Sequence, residues 1–158
     1  MRLNRHNMVR ALGCAVMVIV LATSGAFADN SSPNAMAGGF EYPAGSPAKI
    51  ARAFVRAFNT GDETALADFC RTHESEAALE ARSLKSQLYQ YGSMSRMLGT
   101  LSPHSVTKRN QSKIVLLVRS EKLGTWFKVG VEMDKNLPGK AAHVYIRPAP
   151  APEMLGQM

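Results

Sequence analysis

The chain has 158 residues, of which 46% are hydrophobic, so it is long enough to bury one core and form one domain. Its 19 basic and 12 acidic residues give a net charge of +7, but the longest basic run is only Lys108-Arg109. Scattered basic residues exclude a nucleic-acid binder of the kind that presents a basic cluster, and leave open a weak attraction to anionic surfaces.

Residues 1–28 have the parts of an export signal. Three arginines precede an uncharged apolar stretch, and Ala26-Phe27-Ala28 fits the small-x-small cleavage rule. Because the apolar stretch is shorter than the roughly 20 residues that cross a bilayer, we expect cleavage near Ala28 rather than a membrane anchor. The mature chain, periplasmic or secreted, would keep 16 basic and 12 acidic residues and a net charge of +4. Cys14 would leave with the signal, so Cys70 would have no partner for an intramolecular disulfide.

Composition also predicts the domain boundaries. Residues 29–45 are rich in Asn, Ser, Gly and Pro and are expected to be a flexible lead-in. Residues 149–158 form a proline-rich tail that is expected to be extended and polyproline-like. It cannot continue the last strand, because proline has no N–H to donate to a neighbouring strand. The structured domain is therefore predicted at residues 46–148.

The stretch AFVRAFNTGDETALADFC, residues 53–70, predicts two helices that meet at a tight corner. Ser46 suits the N-cap of the first helix and Pro47 its first turn. Gly61 suits the end of that helix, because glycine takes the left-handed conformation without strain. Asp62 is expected to cap the second helix by accepting backbone N–H groups.

A third helical region, residues 73–99, follows, and Gly92 is a place where it could break. The hydrophobic pattern then changes from helical to alternating, which predicts four strands, at residues 102–109, 113–120, 125–134 and 141–148. Short connections between consecutive strands predict antiparallel pairing. The fold class is therefore α+β, with three N-terminal helices packed on a sheet of about four antiparallel strands.

These features resemble the nuclear-transport-factor-two-like proteins, also called SnoaL-like, which have a cystatin-like α+β cone. The resemblance lies in Phe58-Asn59-Thr60-Gly61-Asp62, in Leu66 to Phe69 and in the order of helices before the sheet, and it covers residues 46–150. The most similar variant precedes the catalytic domain of exported serine hydrolases or processing-type peptidases and ends in a strand like Ile146-Arg147-Pro148-Ala149-Pro150. The resemblance implies a curved sheet, curled into a cone whose mouth the first helix partly closes.

A small apolar ligand in such a cone would contact the side chains of its interior and mouth. The resemblance therefore implies a candidate ligand-binding set, namely Phe54, Phe58, Tyr89, Tyr91, Phe127 and Val129. The alternative is a plugged cone, in which Tyr89 and Tyr91 pack as part of the core.

Some members of this family are isomerases that place an acid inside the cone. The inward strand positions predicted here carry no titratable residue; they are Phe127, Val129, Val131, Met133, Val144 and Ile146. Asp62 is explained as a cap and Asp68 as a solvated helix residue, so no catalytic residue is predicted. A small isomerase or cyclase that uses a pocket acid is the alternative function. His73, Glu76 and Glu80 could present metal ligands but are better explained as a solvated helix face, and no metal or cofactor is expected.

The opposite face of the sheet carries the candidate interface, namely Trp126, Lys128, His143, Tyr145 and Arg147. Aromatic rings mixed with cations are enriched at protein interfaces, although an ordinary exposed sheet face would have a similar composition. We therefore predict an exported, non-catalytic accessory or ligand-binding domain that acts through an apolar cavity or through this face. An exported hydrolase, another protein, a second copy of the chain or a small apolar ligand are the candidate partners, and nucleic acid is not. A purely structural dimerisation unit is a further alternative.

Overall fold

A computed structural model describes residues 40–155 of the chain, and the predicted export signal lies outside them. Four helices come first: α1 (Ser46–Thr60), α2 (Glu63–His73), α3 (Glu76–Ala81) and α4 (Leu84–Leu98). Four strands and a single helical turn follow: β1 (Leu101–Arg109), β2 (Lys113–Ser120), β3 (Trp126–Met133), β4 (Ala141–Pro148) and α5 (Pro152–Leu155). This order confirms the predicted α+β class. Across the same residues, every helix is too short or too polar to cross a bilayer.

The strands form one antiparallel sheet in the order β1-β2-β3-β4, as the short connections predict. In this register Val129 of β3 lies opposite Leu116 of β2 and Ile146 of β4. The pairing of β1 with β2 contains two register shifts, and such bulges bend a strand and increase its twist. The sheet is curled and does not close into a barrel.

The corner between α1 and α2 contains the predicted stop and start signals. Gly61 adopts a left-handed φ of 66°, and its N–H donates to the carbonyl of Phe58. Asp62 caps α2, because its carboxylate accepts a hydrogen bond from the N–H of Thr64 at 3.0 Å. The chain therefore ends one helix and begins the next within two residues.

Asn59 ties the end of α1 to the start of the sheet. Its Nδ2 donates to the carbonyl of Leu101 at 3.0 Å, and its Oδ1 accepts from the N–H of Leu101 at 2.8 Å. One side chain therefore satisfies both main-chain groups of a residue 42 positions further along the chain. The hydroxyl of Ser95 on α4 donates to the carbonyl of Phe58, the residue before Asn59, at 3.1 Å. This bond also holds α1 to α4.

The predicted third helical region contains two helices, so four helices rather than three precede the sheet. Ser75 caps α3 and Ser83 caps α4 through their side-chain oxygens. The helix is interrupted at Arg82, just before Ser83. Gly92, the predicted place for an interruption, lies inside α4. A serine that can bond its own backbone amides favours a helix start, and this local signal outweighs the presence of one glycine in a helix.

The two ends of the domain differ from the predictions. The N–H of Lys49 donates to the carbonyl of Gly45, which makes Gly45 the N-cap of α1 and places Ser46 in the first turn. Tyr42 is only 8% exposed and belongs to the core, so packing begins within the predicted lead-in. The tail after β4 is predicted to be extended; residues 149–151 lie outside the helices and strands, but Pro152–Leu155 form the helical turn α5.

The helices cover one face of the sheet, and the hydrophobic core lies between them. From the sheet, the core takes alternate residues of the strands, including Ile114, Leu116, Val118, Phe127, Val129, Val131 and Val144. This alternation confirms the predicted inward face of β3 and β4, with Met133 and Ile146 partly buried at its margin. The opposite face of the sheet carries the remaining strand residues.

Candidate functional site

The face of the sheet that points away from the helices is called here the outer face. It carries alternate residues of the four strands, and they are Ser102, His104, Ser105, Lys108, Lys113, Val115, Leu117, Arg119, Trp126, Lys128, Gly130, Glu132, His143, Tyr145 and Arg147. All five residues of the predicted interface lie on it. The structure therefore brings the predicted interface together on one surface.

Tyr145 lies flat on the backbone of Gly130, its neighbour across the β3–β4 pair. A Cβ atom at Gly130 would come within 2.0 Å of Cζ of Tyr145 and 2.4 Å of its hydroxyl oxygen. Only glycine leaves room for the ring at this distance. The Tyr145 ring therefore lies against the sheet, in the space that the side chain of any other residue at position 130 would occupy.

Cations surround this ring. The guanidinium Cζ of Arg147 lies 4.8 Å from the ring centroid of Tyr145, and Nζ of Lys113 lies 5.7 Å from it. Both distances are within the range of cation–π attraction. The ring of His143 is also close, with its centroid 5.6 Å from that of Tyr145.

Charge on the outer face is mainly positive. Lys113 donates a hydrogen bond to Glu132, and this bond holds the pKa of Glu132 below its ordinary value. The two charges offset each other, which leaves Lys108, Arg119, Lys128 and Arg147 as the further cations of the face. Burial, followed by the charge of Arg82, lowers the pKa of His143, so this imidazole is neutral at neutral pH.

A second aromatic pair and a small apolar layer complete the face. The ring centroids of His104 and Trp126 are 4.9 Å apart in an edge-to-face arrangement. Val115 and Leu117 lie between β1 and β3 on the outer side of β2, and they are 5% and 0% exposed. The described helices leave this face uncovered, yet Val115 and Leu117 are buried on it. The long side chains around them therefore lie flat against the sheet and cover them.

The candidate ligand-binding residues do not form one surface. Phe54, Phe58 and Tyr91 are at most 1% exposed, and the Phe54 ring centroid lies 5.8 Å from that of Phe58 and 5.1 Å from that of Tyr91. Phe127 and Val129 belong to the same core. Tyr89 instead is 77% exposed on α4, beside a cleft that it shares with α2. The structure therefore unites five of the six residues inside the core and places the sixth outside it.

One titratable residue of the interior was missed in the sequence. Glu74, at the junction of α2 and α3, is 2% exposed, and its Oε2 accepts a hydrogen bond from Nε2 of Gln87 at 2.6 Å. Burial raises the pKa of Glu74, and the bond from Gln87 and the charge of Arg82 partly oppose this shift. As predicted, none of the acidic side chains of the four strands points into the core. The junction between α2 and α3, however, places the carboxyl of Glu74 there. No periodic pattern distinguishes Glu74 from the exposed Glu76 two positions later.

The predicted metal-binding alternative is spread over two helices, because His73 ends α2 whereas Glu76 and Glu80 belong to α3. Within residues 40–155, no group of three or more His, Cys, Asp or Glu side chains is placed to hold a metal ion. Burial lowers the pKa of His73, with a smaller contribution from the charge of Lys140.

Cys70 is fully buried, and burial is the main cause that raises the pKa of its thiol to about 12. Because the thiolate is the nucleophile, we expect the native thiol to be inert at neutral pH. In the Cys14→Ser chain, an aromatic disulfide reagent should label Cys70 at least about a hundredfold more slowly in buffer than in denaturant. Equal rates in the two conditions would contradict the packing of α2 described here.

The resemblance to nuclear-transport-factor-two-like proteins stays a prediction, and it rests on the pattern of residues 46–150. An α+β architecture is shared by many unrelated proteins, so the fold does not by itself identify the family. In comparisons with known proteins, no family model, curated protein or solved structure significantly matches this chain.

Proposed function

We propose that this chain is an exported, non-catalytic accessory module that binds an acidic surface of a partner protein through its outer face. The observation that carries the proposal is the Tyr145 ring, which is fixed on Gly130 between Arg147 and Lys113. Aromatic rings and arginine contribute most to protein interfaces, and a ring that is already held in place gives a large contact area at little cost in conformational entropy. An exported hydrolase is the partner that the sequence resemblance favours.

Charge favours a different protein over a second copy of this chain. A symmetric dimer through the outer face would bring the same patch of both copies together. Lys128 and Arg147 of one copy would then approach the cations of the other, with only Glu132 as an acid and that one already paired. Like charges brought together at an interface cost free energy, whereas an acidic partner would be attracted.

The interior supports the two other candidate functions less well. A ligand in the core would have to displace the packed rings of Phe54, Phe58 and Tyr91, which are at most 1% exposed. An isomerase-type function would depend on Glu74, the acid of the interior, and a general base must reach its substrate. At 2% exposure and bonded to Gln87, this carboxyl is enclosed by the chain itself.

The partner can be identified by site-specific crosslinking in cells that export the protein. A photoreactive phenylalanine at Trp126, on the outer face, should form a covalent adduct with one exported protein. The same residue at Tyr89, which is 77% exposed on α4, is the matched control and should not form that adduct. Equal adducts from the two positions, or none from Trp126, would contradict the proposal.

Affinity for the purified partner then tests the ring itself. Gly130→Ala should push the Tyr145 ring off the sheet and weaken binding by about tenfold, or ~1.4 kcal/mol. Gly92→Ala is the matched control, because a Cβ there meets only ordinary contacts, the nearest being Arg96 at 3.6 Å. Binding measured by calorimetry should be unchanged in the control, and an unchanged affinity in Gly130→Ala would overturn the role of the ring.

Reversal of charge gives an independent measurement on the same complex. Arg147→Glu should weaken binding and lessen its dependence on salt, because a cation that faces the acidic partner is replaced by an anion. Arg56→Glu makes the same change on the exposed side of α1 and should leave the affinity unaltered. Equal effects of both variants would point to non-specific attraction instead.

A further inference from the structure

Glu74 and Gln87 join three elements at the side of the domain. Glu74 lies between α2 and α3, and Gln87 lies on α4. The next residue, Ser75, donates its N–H to the carbonyl of Ala141 at the start of β4, at 2.9 Å. The side chains of Glu74 and Gln87 are buried, with 2% and 0% exposure. Their contact therefore holds the α2–α3 junction and the edge of the sheet to α4.

The contact between Glu74 and Gln87 lacks one hydrogen-bond donor. Both amide hydrogens of Gln87 are used, one towards Oε2 of Glu74 at 2.6 Å and one towards the carbonyl of Arg82 at 3.1 Å. Oε1 of Glu74 and Oε1 of Gln87 are both buried and have no partner among the described residues. An ionised carboxylate and an amide oxygen can only accept, so neither can satisfy the other. Buried polar groups are almost always paired, so the missing donor requires an explanation.

We propose that Glu74 is a neutral carboxylic acid in the folded protein and that its O–H donates to Oε1 of Gln87, so that a single proton closes an acid–amide pair. The pair consists of N–H···O and O–H···O hydrogen bonds that run in opposite directions between the two side chains. When the pH rises, the proton leaves for the solvent and an unpaired charge is left between α2, α4 and β4. The α2–α3 junction is thereby a pH-sensitive attachment of the helices to the edge of the sheet.

The charged and titratable groups around Glu74 do not compensate for the free-energy cost of a buried negative charge on its carboxyl. Arg82, after α3, favours the ionised form, but it is only half buried, and burial of Glu74 is the larger effect. Cys70 on α2 and Tyr91 on α4 have raised pKa values and stay neutral in this pH range. The remaining cations nearby are turned to other groups: Arg71 is paired with Asp68, and Lys140, before β4, donates to the carbonyl of Thr72.

The sign of the pH effect follows from the raised pKa of Glu74. The folded state binds this proton more tightly than the unfolded state does. The stabilisation is therefore complete below the ordinary glutamate pKa and is lost as the pH rises through the raised pKa of the folded protein. His73 and His143 act in the opposite sense, because their pKa values are lowered by folding. A comparison of variants at each pH separates the two contributions.

The test is denaturant unfolding of the wild type and of Glu74→Gln between about pH 5 and about pH 9. Glutamine supplies the missing N–H donor without a titrating proton. The unfolding constant of the wild type, relative to that of Glu74→Gln, should rise with pH by up to about tenfold per pH unit. Above the raised pKa, Glu74→Gln should be the more stable protein. Glu76→Gln, an exposed change on α3, is the control and should follow the wild type.

A pH-independent difference between wild type and Glu74→Gln would overturn the proposal, because Glu74 would then be ionised throughout. A second measurement needs no substitution and applies even where Glu74→Gln fails to fold. In ¹³C spectra of the folded wild type, one glutamate carboxyl should titrate above the range of the exposed ones. If all glutamates titrate within that ordinary range, the acid–amide pair does not exist.

Discussion

Phe54→Ala is expected to destabilise the protein by about 3–5 kcal/mol, the usual cost of removing a buried phenylalanine. Phe54 is 0% exposed, and its ring contacts those of Phe58, Phe69 and Tyr91 at centroid distances between 5.1 and 5.8 Å. The substitution removes the residue on which α1, α2 and α4 converge. The surrounding side chains relax only partly into such a cavity, which adds to the cost of the lost burial.

Urea unfolding followed by circular dichroism measures this loss. Tyr89→Ala is the matched control, since it removes an aromatic side chain that is 77% exposed, and its effect should stay within about 0.5 kcal/mol. A small effect of Phe54→Ala would mean that the interior is loosely packed. Such an interior would favour a ligand-binding cone over the outer face.

Asn59→Ala is expected to cost about 2 kcal/mol, because it leaves the N–H and the carbonyl of Leu101 without their partners. Leu101 is 0% exposed, and water reaches its main chain only poorly. Asn59→Asp keeps the acceptor for the N–H of Leu101 but places a carboxylate oxygen against its carbonyl oxygen, so it should also be less stable than the wild type. Thermal unfolding monitored by calorimetry would rank the three proteins.

The control for this series is Asn136→Ala in the exposed turn before β4, where no large effect is expected. If Asn59→Ala were no more destabilising than this control, the clamp between α1 and β1 would contribute nothing. Amide hydrogen exchange at Leu101 offers a local check. Its N–H should exchange faster in Asn59→Ala than in the wild type, because the acceptor has been removed.

The corner motif on which the family resemblance rests is made of residues with structural tasks. Phe58 fills the core, Asn59 clamps β1, Gly61 supplies a left-handed φ and Asp62 caps α2. None of them faces the outer surface of the sheet. The motif therefore reports how the chain folds, whereas the proposed function depends on residues of β3 and β4 that the motif does not contain.

The candidate interface could be predicted as a set because strand alternation is a local property. Trp126 and Lys128 share a face of β3 by spacing alone, and Tyr145 and Arg147 share one of β4. The arrangement of the set could not be predicted. Tyr145 lies on Gly130 because the β3–β4 register places them opposite each other, and that register depends on the pairing of whole strands.

The sequence by itself determined the elements whose causes lie within a few residues: the alternating strands, the stop at Gly61, the cap at Asp62 and the antiparallel order. Tertiary structure decided which polar groups are buried. Glu74 and Glu76 stand two positions apart in a polar stretch, yet only Glu74 is enclosed, since it meets Gln87, 13 residues away, and the edge of β4. Caps and alternation are encoded by neighbours in the chain, whereas burial depends on contacts that form only when distant elements pack.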